Sequence, residues 1–153
     1  MIETIVEDDA WEKALPDAAA LAARCADAAG VLEPRLRREM ALLLTADAAM
    51  ADLNRRFRKV EKPTNVLSFP SGEAEGFLGD IALAIETCAR EAGEKGISLS
   101  DHAAHLIVHG MLHLIGYDHQ TDAEAERMER REAAILEAMG VADPYAPALE
   151  ADT

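Results

Sequence analysis

The chain has 153 residues, the length of one domain, and 50% of them are hydrophobic, which supports a buried core and excludes a disordered polymer. With 15 Lys and Arg against 29 Asp and Glu the net charge is -14, which excludes a protein that holds nucleic acid by overall charge but leaves room for one local basic groove. Cys25 and Cys88 have no CxxC spacing, and no apolar run is long enough to span a bilayer. Met1–Asp9 is acidic and lacks the basic flank and apolar run of a signal peptide, so a soluble cytoplasmic protein is expected.

In chain order, Ile2–Val6 alternates weakly and reads as a first strand. Pro16–Ala29 is Ala-rich and reads as a helix, with Gly30 as its stop. Glu39–Thr45 (EMALLLT) has the length of a buried strand, and Thr45 is placed to cap a helix running to about Phe57. Asn65–Phe69 is a predicted strand closed by Pro70, Ser71–Gly76 a loop, and Gly79–Ile85 another strand. Glu86–Glu94 reads as a short helix ending in the Gly93–Gly96 region. Ser100 is a candidate N-cap for a helix to about Ile115, where Gly116 is a natural stop. Thr121 or Asp122 opens a last helix, with Ala125, Met128, Glu132, Ile135 and Met139 on its period and Gly140 at its end. The expected fold is α+β: one domain over 1–142 with a mixed sheet of about four strands covered by helices, and a flexible tail over 143–153.

Three of the five histidines fall in one short stretch, His109-Gly-Met-Leu-His113-Leu-Ile-Gly116-Tyr-Asp-His119. Residues four apart share a helix face, so His109 and His113 can aim at one point. Gly116 allows the positive φ with which the chain leaves the helix and brings His119 back. Three imidazoles with a fourth position left for water is the catalytic zinc arrangement rather than the structural one. The expected cofactor is therefore one zinc ion per chain, at the end of a helix in the C-terminal half. The spacing is similar to the HExxHxxGxxH stretch of metzincin proteases, but Gly110 stands where those enzymes carry their Glu general base. Peptide hydrolysis is disfavoured on that ground. His102 and His105 read as helix-packing residues, with a supporting role behind the metal ligands as the alternative.

Several separated motifs together resemble the YbeY family of bacterial endoribonucleases, the rRNA maturation factors. They are HGMLHLIGYDH (His109–His119), the block from Asn54 through Arg58 and Lys62 to Phe69-Pro70, and Gly79-Asp80-Ile81, covering roughly residues 40–140. The resemblance implies a mixed α/β fold, zinc on His109, His113 and His119, and cleavage of single-stranded RNA. It also implies a role in 16S rRNA end maturation, ribosome quality control or both, and an important arginine that falls on Arg58. Asn65 departs from the Asp that the family often has there.

Arg58 and His113 are the expected catalytic residues, because a guanidinium fork and a metal site can both stabilise charge developing on a phosphodiester. Arg55, Arg56, Lys59 and Lys62 make the surrounding segment basic and are candidate RNA contacts. Asp118 and Asp80 are candidates to orient an imidazole from behind. The expected partner is single-stranded rRNA. The alternative is a ribosome-assembly protein with a mainly structural zinc site, its acidic face suiting ribosomal proteins or an assembly GTPase.

Overall fold

The computed structural model describes residues 1–58 and 64–146, with only the backbone of Phe57 and Arg58. Strands β1 (Ile2–Val6), β2 (Met40–Thr45), β3 (Val66–Pro70) and β4 (Gly79–Ala84) form one sheet in the order β1-β2-β4-β3. The pairs β1–β2 and β2–β4 are parallel and β3–β4 is antiparallel, so the sheet is mixed as expected. The helices are α1 (Ala10–Ala14), α2 (Ala18–Leu32), α3 (Asp47–Arg58), α4 (Ile85–Lys95), α5 (Leu99–Leu114) and α6 (Asp122–Ala138), with a 3-10 turn at Pro34–Leu36.

Alternation along each strand divides the sheet into two faces. Met40, Leu42, Leu44, Ile81 and Leu83 face the main core, where they meet residues of α2, α5 and α6. The opposite face is only partly covered: α3 sets Met50 and Leu53 on Leu67, Ala82 and Ala84, beside a groove lined by Ile5, Leu43, Phe69 and Asp80. Helix α5 is apolar almost all round and lies buried through most of its length. Its close seat on the sheet requires Gly110, since a Cβ there would stand 2.8 Å from Ile81 Cγ2 and 3.1 Å from Ser68 Oγ.

Some local expectations give way to tertiary contacts. Gly30 lies inside α2 rather than beyond it, because Arg37 packs where a side chain would stand and donates from Nε to the Gly30 carbonyl at 2.8 Å. Thr45 does not cap α3; its hydroxyl donates to Glu7 at 2.6 Å. Instead α3 and α4 cap each other: Asp47 N donates to Glu86, and the Asp47 carboxylate accepts from Thr87 N and Oγ1. Ser98, not Ser100, caps α5 by accepting from Asp101 N at 3.0 Å. Helix α6 begins with a capping box between Thr121 and Glu124. Helix α1 had no counterpart in the sequence reading; it buries Trp11 completely and lets its indole donate to the Thr45 carbonyl at 2.8 Å.

Candidate metal centre and substrate cleft

The C-terminal half of α5 carries His109 and His113, both half-buried, on one face. The helix then closes with a Schellman pattern: Gly116 N donates to the His113 carbonyl and Tyr117 N to that of Leu112, with Gly116 at φ 101°. That turn brings His119 back against the helix end. The ring centroids of His109–His113, His113–His119 and His109–His119 are 4.6, 5.2 and 5.6 Å apart, and one nitrogen of each ring lies within 4.8 Å of the others. The three imidazoles predicted to converge therefore do so.

The donor set fits a divalent ion. His109 and His113 face each other through Nε2 at 3.1 Å. Two nitrogens held tetrahedrally at zinc bond lengths stand roughly 3.3 Å apart, so little movement separates this arrangement from a pair of ligands. Burial, then the neighbouring imidazoles of His109 and His119, hold the His113 pKa below its ordinary 6.5 and keep the ring neutral at neutral pH. A neutral ring is the form that ligates.

Behind the histidines stands a residue that the sequence reading did not single out. Glu132 of α6 has no solvent exposure and sends its two oxygens to different rings: Oε2 to His109 Nδ1, and Oε1 to His105 Nε2 at 3.1 Å. The Tyr145 hydroxyl also donates to Oε1, and the Tyr145 ring sits edge-on to His105 with centroids 5.4 Å apart. Burial by itself would raise the Glu132 pKa, but the hydrogen bonds from His105 and His109, the His109 charge and the Tyr145 hydroxyl bring it down to about 2. A signal was present in the sequence: an acid on the apolar stripe of a helix must be paired to be buried.

The loop that carries His119 is fixed from a third direction. The Tyr117 hydroxyl donates to the buried Glu33 carboxylate at 2.5 Å. Arg35 and Arg131 each approach that carboxylate at 3.1 Å, and Arg35 also donates to the Ile115 carbonyl at 3.4 Å. Burial would raise the Glu33 pKa, but the Tyr117 and Arg35 hydrogen bonds and the Arg131 charge outweigh it and leave the pKa lowered.

The histidines open on a cleft of about 750 Å³ between β3 and the Gly116–Gln120 loop, with Asn54, Thr64 and Asn65 on the facing wall. Of the two acids expected behind an imidazole, Asp118 lines this cleft and its carboxylate accepts from His119 N at 2.8 Å, a backbone contact. Asp80 projects to the other face of the sheet, into the groove beside α3, because it alternates with Ile81, which faces α5. The carboxylate that meets His109 from behind is Glu132. Arg55 and Arg56 are exposed and share Asp52 as ion-pair partner. Arg58 ends α3 one turn after the cleft residue Asn54; its side chain, together with Lys59 and Lys62, lies outside the described residues. Asn65 donates to Glu91 at 3.0 Å, and Glu91 also accepts from His102 Nε2 at 2.8 Å.

A family model described as endoribonuclease YbeY matches residues 4–140. Curated proteins named endoribonuclease YbeY are similar across most of the chain. The one from Rhodospirillum rubrum is 49% identical over 90% of this chain and 78% of its own length. That from Sphingopyxis alaskensis is 49% identical over 86% of this chain and 91% of its own, and that from Erythrobacter litoralis 56% identical over 74% and 80%. Among solved structures, the solution structure of TM1509 from Thermotoga maritima superposes with a TM-score of 0.60 at 21% identity, covering 96% of this chain and 100% of that one, a likeness of fold.

Proposed function

The chain belongs to the endoribonuclease YbeY family, and from that premise we propose that it is a zinc-dependent enzyme that cuts single-stranded RNA in the cytoplasm, in 16S rRNA end maturation and ribosome quality control. Membership makes it a nuclease that hydrolyses phosphodiester bonds. The observation that carries the finer reading is the convergence of His109, His113 and His119 on a point that opens to the cleft. Zinc held there by His109, His113 and His119 would supply Lewis acidity and make water more acidic, toward a pKa of about 7.

The chain's own residues do the rest. The three imidazoles hold the ion. Neutral His113 leaves its lone pair available without first losing a proton at neutral pH. Gly110 presents no carboxylate and has no room for one, so no acid at that position serves as general base as it does in peptide-cleaving relatives of this motif. Arg58, one turn beyond Asn54, is the group proposed to meet negative charge developing on the phosphate oxygens. Arg55 and Arg56 are exposed on α3, the helix that also carries the cleft residue Asn54, and give that helix positive charge against the acidic whole; Lys59 and Lys62 follow them in the sequence. A cleft walled by polar side chains suits a strand whose bases are unpaired. Among the described residues no helix is long and apolar enough to cross a membrane.

The test is cleavage of a labelled RNA with matched single-stranded and duplex segments by metal-stripped, zinc-restored and His113→Ala protein. Cutting confined to unpaired segments, lost on stripping and restored by zinc only in the wild type, is the expected result. Cutting at the wild-type rate by His113→Ala protein free of zinc would overturn the reading.

A further inference from the structure

The geometry points to Glu132 as a positioning residue: its carboxylate fixes the proton of His109 on Nδ1 and so commits Nε2 to the metal. This rests on the metal reading above. An ionised carboxylate has no hydrogen to give, so each nitrogen facing it carries one. Both oxygens of Glu132 are met by potential donors, two imidazole nitrogens and the Tyr145 hydroxyl, which is the acceptor-only pattern of a carboxylate. His109 is thereby Nδ1-protonated and His105 Nε2-protonated. The same logic places the proton of His102 on Nε2, opposite Glu91.

An independent observation agrees. The Nδ1 atoms of His102 and His105 are buried and have no partner among the described residues. A bare lone pair can be left there more cheaply than an N–H, because a buried donor without an acceptor loses a full hydrogen bond. The two orphaned atoms are thus the ones that the carboxylates leave without a proton.

The two oxygens divide the work. Oε1 accepts from both His105 and Tyr145, which anchors the carboxylate from the side away from the metal site. Among the described residues Oε2 is left for His109 alone. A glutamine at 132 would keep the shape but could accept through one atom only, and its amide hydrogens would oppose one of the two rings. Free imidazole divides its proton between both nitrogens; a ring held in one tautomer and one orientation gives up no freedom on binding the ion.

The experiment uses ¹⁵N-histidine-labelled full chain without metal, then zinc titration in competition with a chromophoric chelator. In the wild type the His109 resonances should report Nδ1 protonated and Nε2 bare, with one zinc bound per chain. Glu132→Gln should show a mixed tautomer for His109 and bind zinc about 10–100-fold more weakly, while Tyr145→Phe, which leaves Oε2 on His109, should keep the tautomer and bind zinc within about 3-fold of wild type by the same logic. A merely structural glutamate would lower the melting temperature without moving the tautomer. Bare Nδ1 on His109 in the wild type, wild-type zinc affinity in Glu132→Gln, or a second zinc per chain ligated by Glu132 would each overturn the assignment. If the wild type bound no zinc, the metal reading would fall, and the tautomer of metal-free His109 would still decide the role of Glu132.

Discussion

Nε2 of His109 and Nε2 of His113 face each other at 3.1 Å, one turn apart on α5. Both cannot present lone pairs at that separation without a cation or a proton between them. Replacement of His113 by Ala should therefore reduce zinc affinity by more than the roughly 10–100-fold cost of losing a supporting partner. Metal-free His113→Ala protein should be slightly less stable than metal-free wild type, because the substitution removes the hydrogen bond that a proton makes between the two rings. Chelator competition and urea denaturation check the two halves separately.

Gly110 allows α5 to sit against Ile81 and Ser68. Gly110→Ala should destabilise the protein by about 1–3 kcal/mol through overpacking. Gly110→Glu should cost more and gain no peptidase activity, since the new carboxylate would have to enter the sheet rather than the cleft. Equilibrium denaturation and a peptide-cleavage assay read these outcomes.

The Glu33 cluster gives a pH dependence. Its folded pKa lies below the ordinary 4.5, so the unfolded chain binds the proton first as pH falls. Stability from Glu33 is fully present above pH 4.5, then declines as the pH drops toward the folded value. Glu33→Gln should be less stable than wild type at neutral pH, and the gap should narrow in acid. Tyr117→Phe leaves the buried carboxylate with one donor fewer and should cost about 1–3 kcal/mol. Because Tyr117 also anchors the loop to His119, it should weaken zinc binding as well. Urea titrations across pH, paired with zinc titrations, test this arrangement.

Arg55 and Arg56 share the single carboxylate of Asp52, which leaves net positive charge at that end of α3. RNA affinity should fall with rising salt, and an Arg55→Ala/Arg56→Ala protein should show a shallower slope, by up to about 1.4 in log–log terms if each arginine meets one phosphate. Slopes from binding titrations at several salt concentrations decide it.

The convergence of the three histidines was legible in the sequence because it is local: a four-residue spacing and a glycine turn determine where three rings go. The four strands were legible for the same reason, each a short apolar run bounded by breakers. Glu132 was not, because its partners lie 23 and 27 positions away on another helix, and nothing on α6 alone says which ring a carboxylate meets. Adjacency in sequence favoured Asp118, yet its carboxylate turns to the backbone of His119. Strand parity sends Asp80 to the face that α5 does not cover, away from the histidines. Helix α1 is five residues long, too short to show a period, and Gly30 stays in α2 because Arg37 fills the space beside it.

The most direct measurement is anomalous diffraction at the zinc edge from crystals of zinc-loaded protein. A single peak within bonding distance of one nitrogen each of His109, His113 and His119, on the side that opens to the cleft, is the predicted result. No peak among those rings, or one enclosed by His105, His109 and Glu132 instead, would contradict the account.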